Sequence, residues 1–421
     1  MNVRVFFRFS LAAPIVLASL ILPTVRSEET PEPLDRVSYY QPTRGTNDSP
    51  PADSLPPYDY TIQNGLYATV TALSNLEQPQ FKNDEKQKLK GIPGCEKEME
   101  VRVMWQGKPA PLAVVLLGLG SRGNSPMART FQSYLHEAGF HVLTFDSPFL
   151  PAFSERSRHG VAGNVAAEAA LVAGMLETFL KSSKAKGMVT RVGLVGVSYG
   201  GVLALNIAKL SAAGKTALKP TGVLALSPPV SLKTAAALLD KYYADERWNY
   251  TLAELYGAMA NHKPVPDGQP VPFTDGQMRA GLAAAFRQDL KDVVNHNDQR
   301  YKLNLLPKAG LHDDQYRRDW AETWTFTKFI EEMTFTYWSK KGGVAHLNQL
   351  WEFGDLAQVV PHCPDYVKLV IAANDPMNDP EELAKLKSDT KPGRLTVLPH
   401  GGHMGYLGSK WCKARVQKLF E

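Results

Sequence analysis

The sequence has few cysteines, no repeated unit and little imbalance of charge. Its three cysteines, Cys95, Cys363 and Cys412, are spaced in no metal-binding pattern. Basic residues number 47 and acidic residues 42, and no basic stripe with interleaved aromatics suggests a nucleic-acid surface. Self-similarity at the period of solenoid repeats is also missing. With 421 residues, of which 44% are hydrophobic, the chain is expected to form a globular protein larger than one minimal domain.

The first 27 residues have the layout of a secretory signal peptide. Two arginines precede a mostly apolar run, residues 9–25, after which the sequence becomes polar. The small residues Val25 and Ser27 suit a cleavage site, which would make Glu28 the mature N terminus. An uncleaved membrane anchor is the alternative, but the run is short for a bilayer span and contains two prolines. We therefore expect export to the periplasm or the extracellular space.

Export would place the cysteines in an oxidising compartment, where one disulfide could form and leave one thiol. Cys363 and Cys412 flank two predicted strands and are therefore candidates to meet. The alternative is that all three cysteines are small buried apolar side chains. The sequence leaves both possibilities open.

Short apolar runs alternate with helical segments over much of the chain. Proline, serine, aspartate and threonine are abundant in residues 28–60, which predicts a linker or a surface-hugging arm. The predicted buried strands are Ala113–Leu117, His141–Phe145, Arg191–Val195, Gly222–Leu226, Tyr366–Ala373 and Arg394–Leu398. The predicted helices around them are Ile62–Leu76, Met127–Ala138, Ala162–Leu180, Gly201–Leu210 and Ser409–Phe420. This alternation indicates a parallel sheet covered by helices on both faces, with Glu98–Trp105 as an edge strand.

A helical cap is predicted between two parts of this sheet. No buried-strand run occurs between Leu232 and about Phe353. The predicted helices there are Leu232–Tyr243, Leu252–Met259, Asp275–Leu290, Tyr316–Thr325 and Phe326–Trp338. The cap would occupy residues 231–355 and divide the core into residues 61–230 and 356–421. Its many aromatic side chains are interpreted as helix packing rather than as substrate contacts.

One serine lies between two glycines at the end of an apolar run. The segment Leu194–Gly201 reads Leu-Val-Gly-Val-Ser-Tyr-Gly-Gly and is followed by helical apolar spacing. In a nucleophile elbow, a serine occupies a strained turn from strand to helix, and glycines two residues before and after it leave room for the backbone. Ser198, between Gly196 and Gly200, is therefore the candidate nucleophile.

A serine nucleophile needs a histidine base and a carboxylate that orients the base. His403 lies in a glycine-rich loop after the last predicted strand, whereas His400 lies nearer the strand and is expected to pack or to cap the turn. Asp375 directly follows the preceding strand. Asp379 precedes a proline and two glutamates, which favours a helix N-cap role instead. His403 and Asp375 are the candidate base and acid.

The order Ser198, Asp375, His403 is the order of α/β hydrolases. With its elbow, acid loop, histidine loop and early glycine turn, the segment from about Met99 to Glu421 resembles the α/β-hydrolase superfamily. The resemblance implies a doubly wound, mostly parallel α/β sheet with an inserted helical cap. It also implies an acyl-serine mechanism that requires neither a metal nor an organic cofactor.

The glycine turn, residues 117–120, would contribute to an oxyanion hole. The resemblance implies that the backbone N–H groups of Leu119 and Tyr199 are the two donors. Members of the superfamily often have histidine where Leu117 stands, but a main-chain donor does not depend on that side chain. Arg122 and Ser125 either border the cleft or cap the helix that begins near Pro126.

These patterns predict an exported serine hydrolase that cleaves a carboxylic ester, in the manner of an esterase or lipase. Its substrate would be a small-molecule or lipid-like acyl compound, and an uncleaved N-terminal segment would be the one route to membrane contact. A serine peptidase or an acyltransferase on the same residues is the first alternative, and a non-catalytic hydrolase-like binding protein is the second. A peptidase would need an acidic site in the cap, or else the acidic residues there are solvated helix charges. The candidates for that acidic site are Asp240, Glu246, Glu254, Glu322 and Glu331.

Overall fold

A mostly parallel sheet of eight strands forms the centre of the computed structural model. The structure describes residues 55–421 except 75, 77–78, 80, 82–83, 158, 247–257, 260–261, 263–264, 266–268 and 308–312. The strands are β1 (Asp84–Leu89), β2 (Met99–Met104), β3 (Ala110–Leu116), β4 (His141–Thr144), β5 (Val189–Val197), β6 (Pro220–Leu226), β7 (Val367–Ala372) and β8 (Leu395–Leu398). Their order is β1-β2-β4-β3-β5-β6-β7-β8. β1 and β2 pair antiparallel, β2 also pairs antiparallel with β4, and all other pairs are parallel. The predicted fold class is confirmed.

Helices cover both faces of the sheet, and further helices form the segment between β6 and β7. They are α1 (Gly65–Val70), α2 (Pro126–Glu137), α3 (Pro151–Ser157), α4 (Val165–Leu180), α5 (Ser183–Met188), α6 (Tyr199–Ala212), α7 (Leu232–Glu246), α8 (Asp275–Tyr301), α9 (Asp313–Glu322), α10 (Phe326–Lys328), α11 (Phe335–Lys340), α12 (Leu347–Glu352), α13 (Leu356–Val359), α14 (Pro380–Asp389) and α15 (Lys410–Gln417). A π-helical turn, Phe329–Thr334, joins α10 to α11. Leu112 and Val114 of β3 pack on the face of α4 and α6, whereas Ala113 and Val115 pack on the face of α2 and α15. Continuous apolar strands are therefore buried on both sides.

β2 is not the edge strand that its alternation predicted. β1 pairs with its whole length, from Asp84 opposite Met104 to Leu89 opposite Met99. The sequence of β1, Asp-Glu-Lys-Gln-Lys-Leu, carries almost no apolar signal. Charged side chains suit an outermost strand, because they discourage pairing with another chain.

Helical structure fills the segment between β6 and β7 within its described residues. The two ends of this segment lie next to each other. Leu232 N–H donates to Gly354 O at 3.0 Å, and Leu356 N–H donates to Val230 O at 2.9 Å. α8 runs eleven residues beyond the predicted end at Leu290, as far as Tyr301. Most of the predicted helix 252–259 lies outside the described residues, as do the predicted signal peptide and most of the predicted linker.

The first helix is shorter than its prediction of Ile62–Leu76. α1 begins after Asn64, whose side chain accepts a hydrogen bond from Tyr67 N–H at 2.9 Å. It ends at Val70, within a run of β-branched residues in which Thr69 and Thr71 donate their hydroxyls to carbonyls one turn back. Such side-chain bonds compete with continued helix.

The three cysteines are free. Cys363 and Cys412 lie in the cores on opposite faces of the sheet, so the prediction that they could meet is wrong. Burial raises the pKa of the Cys363 thiol to about 11, as expected for a small apolar core residue. No helix within the described ranges is long and apolar enough to cross a bilayer.

The turn from β5 to α6 requires glycine on both sides of Ser198. A Cβ at Gly196 would overlap the Gly200 carbonyl, and a Cβ at Gly200 would overlap the Leu116 carbonyl of β3. In both cases the added Cβ would overlap a backbone carbonyl, and a rearrangement of side chains cannot relieve such an overlap. The two glycines therefore fix how closely the elbow approaches the neighbouring strand.

We expect Gly200→Ala to lower the free energy of unfolding by about 3 kcal/mol, because the methyl group would push α6 away from β3. Chemical denaturation of the purified protein measures this loss. Gly174→Ala, in the middle of α4, is the matched control, since apart from the backbone of α4 itself no atom lies within 4 Å of its added Cβ. That control should raise stability by up to about 1 kcal/mol. Equal effects of the two substitutions would contradict the backbone-overlap account.

Candidate active site

The sheet brings Ser198, Asp375 and His403 together at its carboxyl edge. They follow β5, β7 and β8, and all three are at least 96% buried. His403 Nε2 lies 2.9 Å from Ser198 Oγ, and His403 Nδ1 lies 2.8 Å from Asp375 Oδ2. Three residues separated by up to 205 positions therefore form one continuous hydrogen-bonded chain.

The Asp375 carboxylate fixes the tautomer of this chain. Its Oδ1 accepts a hydrogen bond from Met377 N–H at 2.9 Å, and its Oδ2 faces His403 Nδ1. Because an ionised carboxylate only accepts, Nδ1 must carry the imidazole proton. Nε2 is then free to accept the hydroxyl proton of Ser198, which is the arrangement a general base requires.

Ser198 itself has strained backbone geometry. Its φ is 53° and its ψ is −123°, outside the regions that non-glycine residues ordinarily occupy. Its N–H donates to Leu226 O at 2.9 Å, and its carbonyl accepts from Gly201 N–H at 2.8 Å. These backbone bonds hold the turn in place and direct the side chain toward His403.

The glycine turn after β3 lies against the serine. A Cβ on Gly118 would be 3.4 Å from Ser198 Cβ, which is ordinary van der Waals contact. Neither Leu119 N–H nor Tyr199 N–H donates a hydrogen bond to any residue that the structure describes. Tyr199 is the first residue of α6, where the intrahelical pattern leaves N–H groups without acceptors. The two N–H groups predicted as oxyanion donors thus follow Gly118 and Ser198, which are in contact, and have no acceptor among the described residues.

The other candidates from the sequence have structural partners. His400 pairs through Nε2 with Tyr60 O at 2.7 Å, away from the serine. Asp379 caps α14 by accepting from the N–H groups of Glu381 and Glu382. Ser125 caps α2. These contacts distinguish His400, Asp379 and Ser125, which have structural partners, from the residues that meet at the site.

An acidic residue of the insertion that the sequence did not single out lies against the glycine turn. The side chain of Asp289 in α8 packs against Gly120. Burial and the nearby Asp292 raise the pKa of its carboxyl to about 6, although Arg122 opposes the shift. Asp240, by contrast, accepts hydrogen bonds from the N–H groups at the start of α10. Glu254 lies outside the described residues.

A second buried carboxyl supports the residue after the serine. Glu168 accepts from the Tyr199 hydroxyl through one oxygen and from Gly163 N–H through the other, each at 2.7 Å. Burial raises the pKa of this carboxyl to about 7, despite both hydrogen bonds, which favour its ionised form. Nothing in the spacing of Glu168 and Tyr199 along the sequence indicates this contact.

The strand order, the elbow and the three-residue site define an α/β-hydrolase fold. The family model described as "Alpha/beta hydrolase family" matches residues 114–412, and the chain belongs to this family. That membership supports a hydrolase. No curated protein matches the chain significantly in sequence.

Solved structures to which the chain shows similarity include the following. A dienelactone hydrolase from Anabaena variabilis is 21% identical over 35% of this chain and 63% of its own, with a TM-score of 0.28. An esterase from Pyrococcus furiosus is 15% identical over 82% of this chain and 92% of its own, with a TM-score of 0.43. A proline iminopeptidase from Mycobacterium smegmatis is 16% identical over 80% of this chain and 97% of its own, with a TM-score of 0.40.

The buried carboxyl of Glu168 should make stability fall as pH rises. Its folded pKa of about 7 is above the ordinary value of 4.5, so its contribution is complete below pH 4.5 and is lost as pH rises to about 7. We expect Glu168→Gln, which cannot ionise, to reduce that loss by roughly 3 kcal/mol. Urea denaturation of both proteins between pH 4.5 and pH 8 measures the difference.

Glu177→Gln in the same helix is the control for this measurement. Burial tends to raise the pKa of Glu177, but hydrogen bonds from Thr216, Ala217 and Leu218 lower it overall. Its contribution to stability is therefore present above pH 4.5 and lost only on further acidification, so between pH 4.5 and pH 8 the control should keep the pH dependence of the wild type almost unchanged. Identical pH profiles of wild type and Glu168→Gln would show that the protein tolerates the buried charge.

Proposed function

We propose that the protein is a serine hydrolase that cleaves carboxylic esters through an acyl-serine intermediate. The observation that carries the proposal is the buried chain Ser198–His403–Asp375, with hydrogen-bond distances of 2.9 and 2.8 Å. Membership of the hydrolase family agrees with it. The strained turn at Ser198 also agrees, since such strain concentrates at functional sites.

The mechanism follows from the hydrogen-bond directions. His403 removes the Ser198 proton as the hydroxyl oxygen attacks the acyl carbonyl, and Asp375 stabilises the imidazolium that forms. The N–H groups of Leu119 and Tyr199 bind the negatively charged oxygen of the tetrahedral intermediate. His403 then protonates the leaving alcohol. A water molecule activated by His403 finally releases the acid and regenerates the serine.

Apolar packing around the site favours an ester with an apolar acyl group. Leu119 packs both on the sheet core and on a hydrophobic cluster to which the insertion contributes most of the residues. Met377, two residues after Asp375, belongs to the same cluster of the insertion. Phe149, also in it, contacts the Tyr199 ring edge-on, with ring centroids 6.4 Å apart. A site with these neighbours suits an uncharged carbon chain.

Asp289 favours a second candidate function, a serine peptidase that binds a substrate amine. Its carboxyl lies beside Gly120, in the turn that carries a predicted oxyanion donor. A carboxylate in that place attracts a positive charge near the scissile bond. The ester proposal remains first, because the cluster residues nearest the site are apolar.

Ser198→Ala should abolish activity. We expect short- and medium-chain nitrophenyl esters to be hydrolysed at least about 1,000-fold more slowly, and labelling by a fluorophosphonate probe to disappear. Ser211→Ala, near the other end of α6, is the matched control and should label and hydrolyse like the wild type. Equal labelling of wild type and Ser198→Ala would refute the nucleophile assignment.

Amino-acid nitroanilides with a free amine separate the two candidate functions. If the protein is an esterase, kcat/KM for the esters should exceed kcat/KM for the anilides by at least about 100-fold. Asp289→Asn should then leave ester hydrolysis within about threefold of the wild-type rate. A preference for anilides that Asp289→Asn removes would favour the peptidase instead.

We also propose that the protein is exported and processed. The support is the layout of residues 1–27, with two arginines, an apolar run and a small-residue cleavage site. Mass spectrometry of the protein from its native cells should find Glu28 as the N-terminal residue. An intact segment 9–25 in a membrane fraction would favour the anchor instead.

A further inference from the structure

The chain before the matched family segment packs on the two loops that carry the acid and the base. The family match begins at residue 114, whereas α1 and the residues before it belong to the earlier part of the chain. Ala68 of α1 is fully buried, and Tyr67 is 1% exposed. These residues are therefore integrated into the molecule and are not a loose arm.

Thr69 of α1 contacts the backbone of the candidate base directly. Its Oγ1 accepts a hydrogen bond from His403 N–H at 2.8 Å and donates its own proton to Gly65 O at 2.6 Å. A hydroxyl has one proton, and here the Gly65 carbonyl takes it. The lone pairs of Thr69 Oγ1 are therefore available for His403 N–H, which has no other acceptor within the described residues.

Asn374 links the same N-terminal segment to both loops. Its Nδ2 donates to Gln63 O at 2.6 Å, and its Oδ1 accepts from Gly402 N–H at 2.9 Å. Asn374 precedes the acid Asp375, and Gly402 precedes the base His403. One side chain thus ties the acid loop to the histidine loop and anchors the pair to the chain before α1.

The histidine loop follows a path that leaves no space between it and this segment. Gly402 has φ +57°, and a Cβ there would overlap Gly65 O. Gly401 has φ +133°, and a Cβ there would be 2.8 Å from the Tyr58 hydroxyl. The Tyr58 hydroxyl in turn donates to His400 O at 2.7 Å. The loop before His403 is therefore shaped by contacts with residues 58–69.

We infer that residues 58–69 are part of the active site and that Thr69 is a positioning residue for His403. Through the backbone of His403, Thr69 fixes the imidazole so that Nε2 faces Ser198 while Nδ1 faces Asp375. This inference rests on the proposed serine-hydrolase function. Thr69 touches no reacting atom, so its effect is exerted through the position of the base.

The test compares Thr69→Val with Thr71→Val in the purified full-length protein. Valine keeps the shape of threonine and removes the hydroxyl. Thr71 is the matched control, because it is buried in the same segment and its hydroxyl also donates one turn back, to Tyr67 O at 2.7 Å. Both substitutions remove a hydrogen bond from a threonine hydroxyl to the carbonyl four residues earlier. Only the substitution at Thr69 also removes the acceptor of His403 N–H.

For Thr69→Val we expect kcat on nitrophenyl esters to fall about 10- to 100-fold, since small misplacements of a catalytic group cost rates of this order. KM should change less than about twofold, because the substrate-contacting groups remain. The rate of fluorophosphonate labelling, which depends on activation of Ser198, should fall in parallel with kcat. Thr69→Ser, which restores the hydroxyl, should recover kcat to within about threefold of wild type, and Thr71→Val should stay in the same range.

Equal kcat values for Thr69→Val and Thr71→Val would overturn the inference. So would a loss in Thr69→Val that Thr69→Ser fails to recover. If Thr69→Val does not unfold cooperatively, the pair Thr69→Ala and Thr71→Ala decides by the same criteria. Wild type and Ser198→Ala are assayed alongside, so that failure of the proposed function is seen as equal labelling of those two, whatever the threonine variants do.

Discussion

The burial of His403 is the constraint on which the site depends. Its side chain has no exposed surface in this structure, where bulk water does not reach its polar groups. Each must therefore find a partner within the protein, because an unpaired buried polar group costs about 1–3 kcal/mol. Ser198, Asp375 and Thr69 provide these partners for Nε2, Nδ1 and the backbone N–H. His403 therefore stays fully hydrogen-bonded only when the segments that carry Ser198, Asp375 and Thr69 all lie within hydrogen-bond distance of it.

The parallel sheet makes this meeting possible. β5, β7 and β8 all point their carboxyl ends to the same edge, and each ends a few residues before one of the three site residues. Two energetically unfavourable features lie near that edge. Ser198 has a strained backbone, and Glu168 is a carboxyl with almost no exposure next to Tyr199. The strained backbone of Ser198 and the buried carboxyl of Glu168 both act on the turn from β5 to α6. Proteins tolerate such costs at sites where a fixed geometry is needed.

The sequence predicted those parts of the fold that produce a local pattern. The buried strands were recognisable because they are continuously apolar, and the elbow because Gly196 and Gly200 flank Ser198 within five residues. β1 was missed since its side chains are charged, and the end of α8 since helix boundaries depend on tertiary packing. Thr69, Glu168 and Asp289 have no local signature. Their roles come from partners 31 to 334 positions away, which only the folded chain brings close.

α1 also connects the histidine loop with the insertion. On one side, Thr69 accepts from His403 N–H. On the other side, the Tyr67 hydroxyl lies 2.8 Å from His262 Nε2 and accepts from Val265 N–H at 2.9 Å. Because Tyr67 and Thr69 belong to the same short helix, a shift of the segment around His262 would move the support of His403 as well. The helix before the family core therefore bridges the insertion and the candidate base through hydrogen bonds made two residues apart, at Tyr67 and at Thr69.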